Sequence, residues 1–193
     1  MDKAGLRRLL RERVRAIPPD QRDGRSRRAC DALVALAPFR RASVVMLFLS
    51  MSDEIDTTAA IQEAWSTGKT VAVPKVDWSR RSMVPVAIQS LHEGLAAGRG
   101  GLRNPVGGPA VDLERIDLVV APGLGFDRHG HRLGRGAGYY DRFLADPRVR
   151  AWRCGLCYVE QIVDAIPVTG TDQNMEWVVT DAQVFSSPDR KGI

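Results

Sequence analysis

Residues 43–74, SVVMLFLSMSDEIDTTAAIQEAWSTGKTVAVP, decide the fold. Ser43 to Leu49 form a nearly unbroken apolar run bounded by Ser50 and Ser52, the pattern of a strand covered on both faces. Asp56 or Thr57 then caps a helix through Trp65, Gly68 closes it, and Thr70 to Pro74 make a second short apolar strand. Strand, helix and strand in so short a span is a βαβ unit, which implies a parallel pair joined by a right-handed crossover.

The alternation continues in both directions. Upstream, Leu6, Leu9, Leu10, Val14 and Ile17 recur at helical spacing among Arg7, Arg8, Arg11, Arg13 and Arg15, predicting an amphipathic helix over 3–17 that Pro18 and Pro19 end. Asp20 caps a second helix running to about Ala37, with Ala29, Leu33 and Leu36 turned inward and Pro38 as its stop. Downstream, Met83 to Ile88 reads as an edge strand marked by Pro85, and the glycine-rich residues 94–110 as a loop. Asp117 to Pro122, residues 151–158 and Trp177 to Thr180 read as strands, and a helix begins in 139–145. The fold expected is α/β, a three-layer sandwich with a central, mostly parallel sheet flanked by helices, in a single domain over residues 1–193. Ligands of such sheets bind beyond the carboxyl ends of the strands.

Composition bounds the function. A chain of 193 residues with 44% hydrophobic content can bury a core without metal or disulfide staples. No apolar run approaches the roughly 20 residues of a membrane span, and the charged N-terminus is unlike a secretory signal, so a cytoplasmic protein is expected. The three cysteines do not suggest a disulfide framework. Cys154 and Cys157 form a C-x-x-C, but on a strand residues three apart face opposite ways, and no second ligand pair completes a zinc site, so they read as core thiols. Residues 1–41 hold 12 Lys/Arg against 5 Asp/Glu, while the remainder holds 16 against 18. Such a basic end suits nucleic acid, a membrane surface or a small polyanion, although solvated helix faces account for most of these arginines.

The chemistry concentrates between Asp117 and Leu144, a strand, a turn, a glycine-rich loop and a helix. Gly134, Gly136 and Gly138 let the backbone adopt conformations closed to other residues, so that several N–H groups can converge on phosphate oxygens. The helix that follows adds its positive end. Arg132 and Arg135 supply fixed charge, and Asp141 stands where a carboxylate could hold Mg²⁺ bridging phosphates. The loop lacks the Lys-Ser/Thr of a P-loop and the spacing of a dinucleotide fingerprint. A purely structural turn is the competing reading; the paired arginines and Tyr139-Tyr140-Asp141 favour a nucleoside triphosphate.

The stretch Gly123-Leu124-Gly125-Phe126-Asp127, followed by Gly130-x-Arg132-Leu133-Gly134-x-Gly136-x-Gly138-Tyr139-Tyr140-Asp141-Arg142-Phe143-Leu144, resembles the signature of the 5-formyltetrahydrofolate cyclo-ligase (methenyltetrahydrofolate synthetase) family. Lys3-x-x-x-Arg7, Asp53 to Thr57, Gly155-Leu156, Gln161, Pro167 and Asp172 extend the resemblance over nearly the whole chain. It implies an ATP- and Mg²⁺-dependent ring closure of 5-formyltetrahydrofolate to 5,10-methenyltetrahydrofolate, releasing ADP and phosphate. In the family, ATP phosphorylates the formyl oxygen, N10 attacks the activated carbon and phosphate departs; the protein aligns the reactants and neutralises charge.

Carried over residue by residue, the resemblance places Lys3 and Arg7 on the ATP phosphates and makes a nucleotide cradle of Arg132, Leu133, Gly134, Arg135, Gly136, Ala137, Gly138, Tyr139 and Tyr140. Arg135 and Lys3 act in catalysis, and Asp141 and Asp172 coordinate Mg²⁺. Leu49, Glu54 and the segment Arg135, Gly136, Ala137, Gly138 and Tyr139 contact the folate, with Glu54 accepting hydrogen bonds from the pterin. On its own residues Glu54 reads as a first-turn helix acid. The chain departs from the family at Ala137, where many members carry Gly or Lys, at Asn104-Pro105 and at Thr171. His129 and His131 beside Asp127 mimic a metal pair but read as a solvated loop. The expected partner is a small-molecule folate, polyglutamylated or not, bound by a monomer with no nucleic acid and no membrane. Two other readings stand: a non-catalytic nucleic-acid-binding or regulatory paralogue, which lacks an aromatic-interleaved basic patch, and an ATP-dependent enzyme for another small acid.

Overall fold

The computed structural model describes residues 2–187. Helix α1 (Lys3–Arg15) opens at Asp2, whose carboxylate accepts the Gly5 N–H at 2.8 Å and so satisfies one of the first-turn donors that have no intrahelical partner. Its apolar stripe, Leu6, Leu10 and Val14, is buried. Helix α2 (Pro19–Ala35) begins on a proline, a position where the missing N–H costs nothing. Pro38 does not stop the chain's helical course: after Leu36 turns extended, a short helix α3 (Ala37–Arg41) starts with Pro38 in its first turn and buries Phe39. A proline there removes only a donor that would be unpaired anyway.

Strand β1 (Val44–Met46) is shorter than its apolar run, but Leu47 still donates to the Ala72 carbonyl at 2.9 Å and the chain stays buried through Leu49. Before helix α4 (Thr58–Ser66), Asp56 accepts the Thr58 N–H at 2.9 Å, while the Thr57 hydroxyl turns away to the Phe48 carbonyl at 2.7 Å. Strands β2 (Thr70–Asp77) and β3 (Ser82–Ala87) form an antiparallel hairpin. The stretch expected as loop holds a small hairpin of β4 (Leu95–Ala97) and β5 (Arg103–Pro105). Then follow β6 (Leu118–Ala121), β7 (Gly125–Asp127), β8 (Arg132–Leu133), helix α5 (Tyr139–Leu144), β9 (Trp152–Cys157), β10 (Ile162–Val163), β11 (Trp177–Thr180) and β12 (Val184–Ser186).

The main sheet runs β12-β11-β9-β6-β1-β2-β3. Its five inner strands are parallel, and antiparallel β3 and β12 close the two edges. Alternate residues of the inner strands feed two cores. Val45, Val71, Leu118, Val120 and Leu156 join α2, α3 and α4 on one face, and Met46, Ala72, Val119, Ala121 and Val178 meet Phe126, Phe143 and Leu144 on the other. A strand covered on both sides must be apolar at every position, which is why its sequence shows no alternation. Cys154 and Cys157 fall in the two different cores and are free thiols; burial pushes both well above the usual thiol range. A Cβ on Gly155 would collide with the Phe126 ring, so glycine lets β7 cross close over β9.

One buried ionic cluster ties distant segments together. Arg25 donates to Asp181 at 2.6 Å and, with two nitrogens, to Glu160 at 2.6 and 2.7 Å, and its guanidinium lies 5.3 Å from the Tyr158 ring centroid. No helix among the described residues is long and apolar enough to cross a membrane.

Candidate active site

At the carboxyl ends of β1, β2 and β6 a cavity of about 510 Å³ opens. Its lining includes Leu49, Glu54, the whole run Arg132 to Asp141, and Lys3, Arg7 and Asp172. Every residue singled out from the sequence for ATP, metal or folate therefore faces one cavity. Residues not singled out join them: Phe48, Met51, Pro74, Val76 and Trp78 build an apolar wall beside Leu49. Their signal in the sequence was present but unspecific, since an apolar residue at a strand end looks like core until the tertiary fold leaves it uncovered.

The glycine loop is held by cations on three sides. Arg7 reaches down from α1 and donates to the Gly134 carbonyl at 3.0 Å. Arg132, almost fully buried, pairs with Asp141 at 2.7 Å and reaches the Pro122 carbonyl at 3.3 Å. Arg142 donates to the Ala137 carbonyl at 2.8 Å. Gly136 (φ 110°) and Gly138 (φ 68°) occupy the left-handed side of conformational space, which favours glycine. The Tyr140 hydroxyl and Arg132 Nε are buried at the cavity with no hydrogen-bond partner among the described residues, and burial raises the Tyr140 pKa.

Three further ion pairs involve residues that line the cavity. Lys3 Nζ meets Asp172 Oδ2 at 2.7 Å, and the Thr169 N–H donates to the same oxygen at 2.6 Å. Burial works against the Asp172 charge, but Lys3 and the Thr169 donors hold its pKa below the usual carboxylate value. Arg135 bridges Asp53 at 2.5 Å and Glu54 at 2.9 Å. Glu54 also accepts the Met51 N–H at 3.0 Å. Its side chain is only 8% exposed, and this burial raises its pKa, with Arg135 and the Met51 amide offsetting part of the shift. Glu54 is therefore not a surface helix acid: it precedes α4 and points into the cavity.

Among the described residues no group of three or more His, Cys, Asp or Glu side chains is arranged to hold a metal ion. His129 and His131 do not form one. The fully buried Asp127 accepts the His129 and His131 N–H groups at 3.0 Å each, His131 Nδ1 at 2.8 Å and the Ile166 N–H at 3.0 Å. This is a loop anchor, more buried than the solvated loop expected from the sequence. Asn104 is likewise structural, exchanging hydrogen bonds with the Val76 backbone at 2.8 and 3.2 Å.

Comparison with known proteins agrees with this geometry. The family model described as 5-formyltetrahydrofolate cyclo-ligase family matches residues 1–181. A mouse 5-formyltetrahydrofolate cyclo-ligase is 32% identical over 191 residues, covering 92% of each chain. The Escherichia coli K12 5-formyltetrahydrofolate cyclo-ligase is 29% identical over 181 residues, 92% of this chain and 99% of its own. Among solved structures, the NMR structure of Aquifex aeolicus 5,10-methenyltetrahydrofolate synthetase superposes with a TM-score of 0.83 at 29% identity, covering 100% of this chain and 96% of that one. With its signature loop, fold and length all matched, the chain belongs to the 5-formyltetrahydrofolate cyclo-ligase family.

Proposed function

We propose that this chain, acting as one domain, closes 5-formyltetrahydrofolate to 5,10-methenyltetrahydrofolate at the expense of ATP with Mg²⁺. The observation that carries the proposal is the shared cavity, which joins a cationic glycine loop to a buried carboxylate in an apolar wall.

The residues present fit the two groups. For the nucleotide, the left-handed glycines, the orphaned Arg132 Nε and Tyr140 hydroxyl, and Lys3 and Arg7 supply donors and positive charge around one volume. For the metal, Asp141 and Asp172 supply two carboxylates lining the same cavity. That number suits Mg²⁺, which keeps several waters and is bound by one or two carboxylates together with substrate phosphates, not by an all-protein cage. When bound, ATP supplies the phosphoryl group that makes the formyl oxygen a leaving group, and Mg²⁺ screens the phosphate charge.

The protein's own part is positioning and electrostatics. Glu54 accepts pterin N–H donors inside a wall of Leu49, Phe48 and Val76, which excludes water from the reacting amide. Arg135, half-buried and already shared by Asp53 and Glu54, lies between the folate pocket and the glycine loop and can stabilise charge developing on the transferring oxygens. Lys3 holds Asp172 and adds a cation from the first turn of α1. Prepaid orientation of this kind accounts for roughly 7–11 kcal/mol of barrier in well-aligned reactions.

The test is the absorbance of methenyltetrahydrofolate formed from 5-formyltetrahydrofolate with and without ATP and Mg²⁺. Product that requires both supports the proposal, and absence of product with both present defeats it.

A further inference from the structure

Between β10 and β11 the chain crosses residues 164–176 without helix or strand. Ile166 and Met175 are buried, while the residues between them are exposed or half-buried. Asp172 rides on this stretch: its Oδ2 accepts the Thr169 N–H at 2.6 Å, and its own N–H donates to the Thr169 carbonyl at 3.1 Å. From outside the loop, Lys3 reaches Asp172 at 2.7 Å and Arg153 reaches the Gln173 side chain at 3.1 Å.

Both ends of the loop are moored to one turn. The Ile166 N–H donates to Asp127 Oδ2 at 3.0 Å, and the Met175 N–H donates to the Gly130 carbonyl at 2.8 Å. The same carboxylate closes the turn: Asp127 Oδ1 accepts the His129 and His131 N–H groups at 3.0 Å each, and the Gly130 N–H donates to the Asp127 carbonyl at 3.1 Å. One side-chain oxygen therefore shapes the turn and the other fixes the loop. Asp127 itself belongs to β7, which pairs with β10, so the mooring is part of the sheet framework. A Cβ on Gly130, at φ 86°, would collide with the Met175 carbonyl oxygen, and glycine is what lets the far end of the loop close on the turn.

We propose that Asp127 is a positioning residue for the metal: its carboxylate and the Gly130 turn clasp both ends of the loop that carries Asp172 and so set the affinity for Mg²⁺, an inference that rests on the metal reading above. Neither Asp127 nor Gly130 is among the residues that line the cavity, so any effect they have on the site runs through the loop they hold. A surface loop whose ends are fixed close together presents the residues at its middle in a set place, and this one presents a carboxylate to the cavity. Groups behind a metal ligand that fix its orientation tune the affinity of the ion without touching it.

The experiment titrates Mn²⁺, read by its electron paramagnetic resonance signal, into the full chain with a non-hydrolysable ATP analogue, for the parent, Asp127→Asn and Gly130→Ala. A carboxamide has one acceptor oxygen where the carboxylate has two, so Asp127→Asn cannot hold both the turn and Ile166. Gly130→Ala frees the opposite end. Each variant is expected to keep its circular dichroism spectrum and to weaken Mn²⁺ binding by about 10-fold, while its affinity for 5-formyltetrahydrofolate changes less than about 2-fold. Turnover lost at limiting Mg²⁺ should return at excess Mg²⁺, which a merely misfolded site would not allow. Hydrogen exchange on the parent gives a reading that needs no variant. The Ile166 and Met175 amides should exchange slowly with or without ligands, and the Thr169 and Asp172 amides should slow by about 10-fold when Mg²⁺ and the analogue bind. Unchanged Mn²⁺ affinity in either folded variant, an equal weakening of folate binding, or loop ends that exchange as fast as the middle overturns the inference. If the parent takes up no Mn²⁺ with the analogue, the metal reading falls and the inference with it; if parent and variants take it up alike, only the clasp is wrong.

Discussion

Glu54 Oε1 accepts a hydrogen bond from Arg135 Nη2 at 2.9 Å, and this pair joins the segment after β1 to the glycine loop before α5. In the proposed reaction Glu54 serves the folate and Arg135 serves both ligands, so a nucleotide that draws Arg135 away changes the folate site. Glu54→Gln keeps the shape but removes the charge. Folate affinity should fall by about 10-fold or more, because a hydrogen bond to a charged group contributes roughly 1.5–3 kcal/mol, while ATP affinity changes less than about 2-fold. Titration of each ligand separately checks this, and equal losses would contradict the pterin role.

The same carboxylate sets a pH dependence of stability. Burial raises the Glu54 pKa, and Arg135 offsets only part of the shift. The folded protein therefore binds this proton more tightly than the unfolded chain, whose value is about 4.3. Its contribution is fully present below that unfolded value and is lost as pH rises through the folded one. Glu54→Gln, which imitates the protonated form, should be more stable than the parent near about pH 7, with the gap closing as pH falls below the folded pKa. Denaturant melts across that range would show it, and a parent more stable than the variant at neutral pH would mean that Arg135 compensates burial completely.

Asp141 carries a metal role in the proposal and a structural one in the fold. Arg132 has 4% of its side chain exposed and pairs with it. Asp141→Asn retains an acceptor for Arg132, so the protein should stay folded by circular dichroism while turnover with Mg²⁺ and ATP drops about 10²–10³-fold. Asp141→Ala should in addition cost about 3 kcal/mol of stability, because it leaves a buried guanidinium without its counter-charge. Unchanged turnover in Asp141→Asn would remove the metal assignment.

Two glycines separate packing from ligand binding. Gly155→Ala drives a methyl group into the Phe126 ring and should cost about 1–3 kcal/mol in a denaturant melt. Gly136→Ala meets nothing closer than 3.8 Å, but its φ of 110° resists a side chain. It should reduce ATP affinity more than stability, since the loop would relax away from the conformation that gathers its amides. Intact nucleotide binding in Gly136→Ala would argue that the loop is a turn only.

All of the main sheet except its edge strand β12 was readable, because a strand buried on both faces leaves an unbroken apolar run, as from Val44 to Leu49, and because Pro and Gly punctuate the helices between. The small sheet of β7, β8 and β10 was not, since strands of two or three residues are too short to show a period. The β4–β5 hairpin was hidden by its glycines. The resemblance named the proposed site residues, which line one cavity, but it did not name their partners. Nothing in the local sequence announces that Arg135 meets Asp53 across 82 positions, or that Arg25 finds Glu160 and Asp181 across 135 and 156. Such pairings are properties of the closed fold. A residue type gives the chemistry available, and only the tertiary arrangement gives the counter-charge.

The contact between Lys3 and Asp172, 169 positions apart, has a bearing on how the protein is made. Helix α1 leaves the ribosome well before its cover, for Leu6 and Leu10 pack with Leu133 and Ile166, which are translated much later. Through most of synthesis the helix must wait with an uncovered greasy stripe, and a truncated product would expose it to chaperones and proteases. The proposed nucleotide site, whose lining includes both Lys3 and Asp172, therefore closes only after residue 172 has emerged.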